Sequence, residues 1–143
     1  MNAYKIYRLA HLLYLSKIPL LPSILKLFIF LIYNSSIPYQ AKIGKNSHFA
    51  YGGIGVVIHK KSIIGNNCKI GANVTVGGRS GHPELPKIGN NVYLATGCKI
   101  LGPITIGDNV TVGANAVVIK DVPDNAVVAG IPAKIIRIEN DKI

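Results

Sequence analysis

The sequence predicts an all-β chain wound as a coil of short parallel strands, with a short helical segment in front of it. Three observations carry this. First, aliphatic residues recur every six positions: Ile58, Ile64, Ile70, Val76, Ile88, Leu94, Ile100, Ile106, Val112 and Val118 fall in one column, which only His82 interrupts. Second, that column has regular neighbours. Glycine follows it at 65, 71, 77, 89, 107 and 113, and a small or medium residue precedes it by two, as at Val56, Cys68, Val92 and Ala116. Third, the first 36 residues lack this period and carry helix-like runs of apolar residues instead.

In chain order, residues 4–15 form the first element. They are apolar nearly all round, with Lys5, Arg8 and His11 at steps of three that set them on one helical face. Ser16 to Pro22 holds two prolines and turns the chain. Ser23 is placed to cap a second helix from Ile24 to Tyr33, whose one charge is Lys26. Two readings of this hairpin stand side by side: a basic, apolar element lying in a membrane interface, or a cap over the unpaired end of the coil. The linker Asn34-Ser35-Ser36-Ile37-Pro38 leads to the coil. The organisation expected is 1–36 helical, 37–138 coil and 139–143 tail.

A 3.6-residue helical period would smear the aliphatic column around the surface. A period of six fits three short strands per winding of about eighteen residues, stacked at about 4.8 Å. Asn66-Asn67, Gly89-Asn90-Asn91 and Gly107-Asp108-Asn109 fill the turn slots with residues that tolerate positive φ. Cys68 and Cys98 fall in inward slots and read as core fillers. The period breaks twice. Ile43 to Ile58 is fifteen residues, across the glycine-rich Gly52-Gly53-Ile54-Gly55, which suggests a bulge and a pocket beside it. Residues 77–87 carry glycines, prolines and charges, yet Val76 and Ile88 stay twelve apart. This is a loop that leaves the coil and returns in phase.

Composition bounds the function. The chain has 143 residues, 49% hydrophobic and 15% charged, which suits one folded unit rather than a disordered chain. Residues 1–83 contain ten basic residues and no acidic one; the remaining sixty hold six of each, so the net +10 lies at the front. An anionic partner is expected there, a lipid surface or a phosphorylated ligand. No nucleic-acid recognition module is visible. Two cysteines make neither a disulfide framework nor a zinc cluster. No secretory signal stands out, so a cytoplasmic protein is expected, peripheral at the inner face of the membrane if the hairpin meets lipid.

The run Ile64-Gly65-Asn66-Asn67-Cys68-Lys69-Ile70-Gly71-Ala72-Asn73-Val74-Thr75-Val76-Gly77-Gly78 resembles the hexapeptide-repeat acyltransferases. So do Lys99 to Val110 and the closing Lys120-Asp121-Val122-Pro123 with Ala129-Gly130-Ile131-Pro132-Ala133-Lys134. The nearest branch is serine acetyltransferase-like or sugar O-acetyltransferase. The resemblance implies a left-handed parallel β-helix, a homotrimer, and acetyl-CoA as acyl donor in a cleft between neighbouring subunits. No metal is implied. His48, His59 and His82 do not match the spacing of the metal-dependent relatives.

The breaks in the repeat supply the candidate site. His82, in Gly81-His82-Pro83, resembles the segment bearing the catalytic histidine of sugar acetyltransferases, and an imidazole suits general-base work near neutral pH. The catalytic histidine of serine acetyltransferases corresponds to Tyr51 or Gly52, and its partner aspartate to Ser36. That pair is therefore not carried over, and His48 and His59 are the candidates to replace it. The resemblance sets Thr96 and Ala114 along the pantetheine arm and Lys120, Lys134 and Arg137 at the coenzyme phosphates. Arg79 suits an acidic acceptor or the coenzyme, and Tyr51 is a weaker acceptor contact. The reading is acetyl transfer to a sugar hydroxyl in surface-polysaccharide assembly. Its alternatives are L-serine as acceptor, or a non-catalytic scaffold at the membrane.

Overall fold

The computed structural model describes residues 1–140; the expected tail lies outside the described residues from position 141 on. A parallel β-solenoid of about four windings follows two helices, α1 (Ala3–Leu15) and α2 (Leu21–Tyr33). Each winding contributes one strand to each of three faces. The first face stacks β1 (Lys42–Ile43), β4 (Ile63–Ile64), β7 (Lys87–Ile88) and β10 (Thr105–Ile106). The second stacks β2 (His48–Phe49), β5 (Lys69–Ile70), β8 (Tyr93–Leu94), β11 (Thr111–Val112), β13 (Ala126–Gly130) and β14 (Ala133–Ile138). The third stacks β3 (Val57–Ile58), β6 (Thr75–Gly77), β9 (Lys99–Leu101) and β12 (Val117–Val118).

The six-residue column becomes three internal ladders. Ile43, Ile64, Ile88 and Ile106 stack behind the first face, Phe49, Ile70, Leu94 and Val112 behind the second, and Ile58, Val76, Ile100 and Val118 behind the third. All are buried. The small residues two positions earlier close the corners, among them Cys68 and Cys98, both fully buried. Glycines at the corner between the first and second faces have a steric cause. A Cβ on Gly65 would lie 2.4 Å from the Gly89 carbonyl oxygen, and one on Gly44 would lie 2.5 Å from that of Gly65. The adjacent Asn67, Asn91 and Asn109 hold φ between 56° and 57°, the left-handed slot that asparagine tolerates.

Register records the two breaks. Thr105 pairs with Lys87, the regular spacing of eighteen, but Lys87 pairs with Ile63 across twenty-four and Ile63 with Lys42 across twenty-one. One hexad is looped out between β6 and β7, and three residues are inserted between β2 and β3.

Three features differ from expectation. The second helix starts at Leu21, before Ser23; Lys17 and Leu20 at φ 58° and 66° reverse the chain, and the Ser23 hydroxyl meets Tyr39 Oη at 3.3 Å instead of capping. His11 does not share the outward face of Lys5, because steps of three drift around a 3.6-residue helix. Its ring stacks on Tyr7 and its Nδ1 lies 2.7 Å from the Tyr39 carbonyl. Parallel winding also stops before residue 138: β14 runs antiparallel to β13.

The inner side of α1 caps the first winding. Tyr7 Oη donates to the Ala41 carbonyl and accepts from the Ile43 amide, Tyr4 Oη donates to the Gly44 carbonyl, and Asn2 Nδ2 donates to that of Phe49. These side chains stand in for the strand that the exposed end of a stack lacks.

Candidate functional site

The prism interior is filled, so ligand chemistry belongs to its outer edges. One edge joins the second face to the third. Its top is the bulge after β2, where Tyr51 sits at φ 52°, ψ 36°, followed by Gly52, Gly53 and Gly55 at φ 74°, 101° and 67°. A bulky residue in that region costs about 1–2 kcal/mol, and Tyr51 points outward, 83% exposed. Ser35 holds the bulge: its buried hydroxyl donates to the Gly53 carbonyl (2.5 Å) and accepts from the Val56 amide (3.0 Å). At Gly52 a Cβ would come within 2.9 Å of the Tyr33 ring, so a side chain there would have to displace that ring. Lower on the same edge, Thr96 and Ala114 are exposed on consecutive windings, tied by the Asn115 amide donating to the Thr96 carbonyl at 2.9 Å. Lys99 Nζ braces this edge by donating to the carbonyls of Asn73 and Gly97 at 2.8 and 2.9 Å.

The next edge joins the third face to the first. His59 opens it directly after β3, half-buried, with Nδ1 accepting from the Lys61 amide at 3.1 Å. One winding on, the looped-out hexad carries Arg79 and His82. The His82 amide donates to the Arg79 carbonyl at 3.0 Å across a turn with Gly81 at φ 83°, and both side chains are exposed. Arg79 is seated on Gly102, where an added Cβ would lie 3.2 Å from that of Arg79. Lys120 is exposed on this edge after β12.

The predicted residues thus sort onto two edges flanking the third face. Tyr51, Thr96 and Ala114 share one; His59, Arg79, His82 and Lys120 share the other. His48 joins neither group. It sits outward on β2, in the row of Lys69 and Tyr93 on the second face. Lys134 and Arg137 lie on β14, and the Arg137 guanidinium donates to Glu139 Oε1 at 3.1 and 3.3 Å. Among the described residues no three His, Cys, Asp or Glu side chains gather as a metal site.

A cleft of about 460 Å³ lies beside His59, lined by Lys26, Ser36, Gln40, Lys60 and the strand ends Val57–Ile58 and Val76–Gly77. A second hollow of about 420 Å³ shares Lys26 and Ser36 and continues under α2 to Phe30 and Tyr39. Sequence reasoning did not connect α2 to the site; the Lys26 contribution comes from a segment more than thirty positions away from His59. Ser36 is hydrogen-bonded into the third face beside Val57. The thiols offer no nucleophile. Burial pushes Cys98 up to about 12 against the pull of nearby Lys99, and burial likewise raises Cys68 against a hydrogen bond with the Val92 backbone.

Comparison with known proteins matches residues 86–120 to the family model "Bacterial transferase hexapeptide (six repeats)". The chain is 39% identical over 132 residues to a serine acetyltransferase of Synechococcus elongatus, across 91% of this chain and 54% of that one. It superposes with a TM-score of 0.89 at 32% identity on serine acetyltransferase from Brucella abortus in complex with coenzyme A, covering 96% of this chain and 56% of that one. Serine acetyltransferase of Neisseria gonorrhoeae in complex with serine gives 0.86 at 32% identity, over 94% and 55%. The chain spans about half the length of the relatives it matches.

Proposed function

Because residues 86–120 match the hexapeptide transferase model and the chain is 39% identical over 132 residues to a serine acetyltransferase, we propose that it is a hexapeptide-repeat acyltransferase that transfers an acetyl group from acetyl-CoA to a hydroxyl, with L-serine as the acceptor. The observation that carries the acceptor is the likeness, along nearly the whole chain, to serine acetyltransferases, one of them in complex with serine. This takes precedence over the sugar hydroxyl expected from sequence, whose polysaccharide setting has no support among these relatives.

A specific observation keeps the sugar reading as a second one. By the sequence resemblance, Ser36 and Tyr51 or Gly52 correspond to the aspartate–histidine pair of the serine branch, and none of the three is acidic or a histidine. The base must then come from elsewhere. His82 on the looped-out hexad is our assignment, acting across a cleft between protomers of a trimer, with one protomer's Thr96–Ala114 edge facing the next one's loop. Its imidazole takes the hydroxyl proton as the oxygen attacks the thioester carbonyl. Corner backbone amides hold the developing oxyanion. Collapse breaks the C–S bond, and the imidazolium returns the proton to the departing thiolate. Products are the acetyl ester and free coenzyme A, with no covalent enzyme intermediate.

Thiol release from acetyl-CoA, measured with L-serine, amino sugars, sugars and nucleotide sugars, tests this reading. Turnover with serine supports the first acceptor and turnover with sugars alone supports the second. Absence of release with every acceptor, together with no coenzyme A binding by calorimetry, returns the coil to a scaffold.

A further inference from the structure

We propose that the outer face of the α1–α2 hairpin docks on an anionic lipid bilayer. This inference rests on the hairpin alone and stands apart from the acetyl-transfer reading. Helix α2 buries Pro22, Ile29 and Tyr33 against the rest of the protein. On its opposite side Ile24, Leu27, Phe28 and Leu31 are 49%, 54%, 54% and 70% exposed. Their spacing makes one continuous apolar stripe that no polar residue interrupts. Between the helices an apolar groove of about 240 Å³, lined by Met1, Ile6, Leu25, Phe28 and Ile32, opens beside the stripe.

Charge selects the occupant. The hairpin carries Lys5, Arg8 and Lys17 away from the cleft that Lys26 lines, and no acidic residue precedes Glu84. On α1 the outward Lys5 alternates with Leu9 and Leu12, each 51% exposed. A second copy placed face to face would set these cations against one another with no nearby carboxylate to pair them. Anionic headgroups supply the missing charge while acyl chains cover the stripe. At 13 residues each helix is about 20 Å long, short of the roughly 30 Å hydrocarbon thickness, and no helix among the described residues is long and apolar enough to cross a membrane. The hairpin therefore lies in the interface plane, with the solenoid standing on its far side.

The test is sedimentation of the full chain with vesicles of phosphatidylcholine, alone or mixed with phosphatidylglycerol, followed as salt is raised. We expect pelleting with the mixed vesicles that weakens with salt. Lys5→Gln and Arg8→Gln each reduce partitioning about fivefold. Phe28→Glu with Leu31→Glu abolishes it, the circular dichroism spectrum being unchanged because these side chains face outward. Equal pelleting with neutral vesicles, or none with either, overturns the proposal. So does a Phe28→Glu, Leu31→Glu protein that pellets normally but sediments alone as a smaller assembly than the parent, which would give the stripe to a second copy.

Discussion

Replacing Tyr7 by phenylalanine removes one oxygen and strands two backbone groups. That hydroxyl donates to the Ala41 carbonyl at 2.5 Å and accepts from the Ile43 amide at 3.1 Å, on the edge of the first winding that no strand precedes. The ring is fully buried, so water does not replace the lost oxygen. An unpaired buried backbone group costs about 1–3 kcal/mol, and with the ring's packing retained we expect a loss of about 2–4 kcal/mol. Urea unfolding reads this as a lower midpoint at unchanged slope. Titration adds a second signature. Burial pushes the Tyr7 hydroxyl from an ordinary 10 up to about 12, against the opposing Ile43 hydrogen bond. The unfolded chain therefore releases this proton first as pH rises. Stability from the group is complete below pH 10 and drains away as pH climbs through the folded value near 12, by about 3 kcal/mol in all. Tyr7→Phe lacks that component, so the gap between the two proteins narrows with alkalinity. A variant within about 0.5 kcal/mol of the parent, or a gap that stays constant to pH 12, would refute the edge-capping argument.

His82→Ala is expected to lower kcat by about 10²–10⁴-fold while leaving coenzyme A affinity in calorimetry unchanged. Gly65→Ala drives a Cβ to 2.4 Å from the Gly89 carbonyl oxygen, so the next winding must shift; thermal unfolding should show a loss of about 1–3 kcal/mol. Native Cys68 and Cys98 should resist an aromatic disulfide reagent at neutral pH and react together once urea unfolds the chain. Arg137→Ala breaks a pair with Glu139 in which the guanidinium is largely exposed, so stability should change by less than about 1 kcal/mol in denaturant unfolding.

The coil was legible because one column encodes it: every inward slot from Ile58 to Val118 must be apolar to stack, and the slot after it must be glycine where windings touch. His82 stood out by breaking that column, and exclusion of its hexad follows from the cost of burying an imidazole without a partner. The fifteen-residue gap likewise located the bulge, since Phe49 keeps step with Ile43 and the excess falls after it. What sequence could not supply was partners at long range. Asn2, Tyr4, Tyr7 and His11 serve carbonyls between 28 and 47 positions away, and no periodicity encodes such pairs. Ser35 reads as linker in the sequence, yet its hydroxyl bridges Gly53 and Val56. The helix starts at Leu21 rather than after Ser23, the capping residue that the sequence offers, because two non-glycine residues, Lys17 and Leu20, make the turn. The edge on which each candidate falls needs the register, which separates His48 from His59 and His82 despite their similar chemistry.

The measurement that bears most directly on acetyl transfer is a crystal structure with coenzyme A bound. The pantetheine arm should lie along the Thr96–Ala114 edge, with its sulfur within about 4 Å of a His82 imidazole carried by the adjoining protomer. A sulfur lying next to Tyr51 with every imidazole out of reach, or the coenzyme seated on another face, would contradict this arrangement.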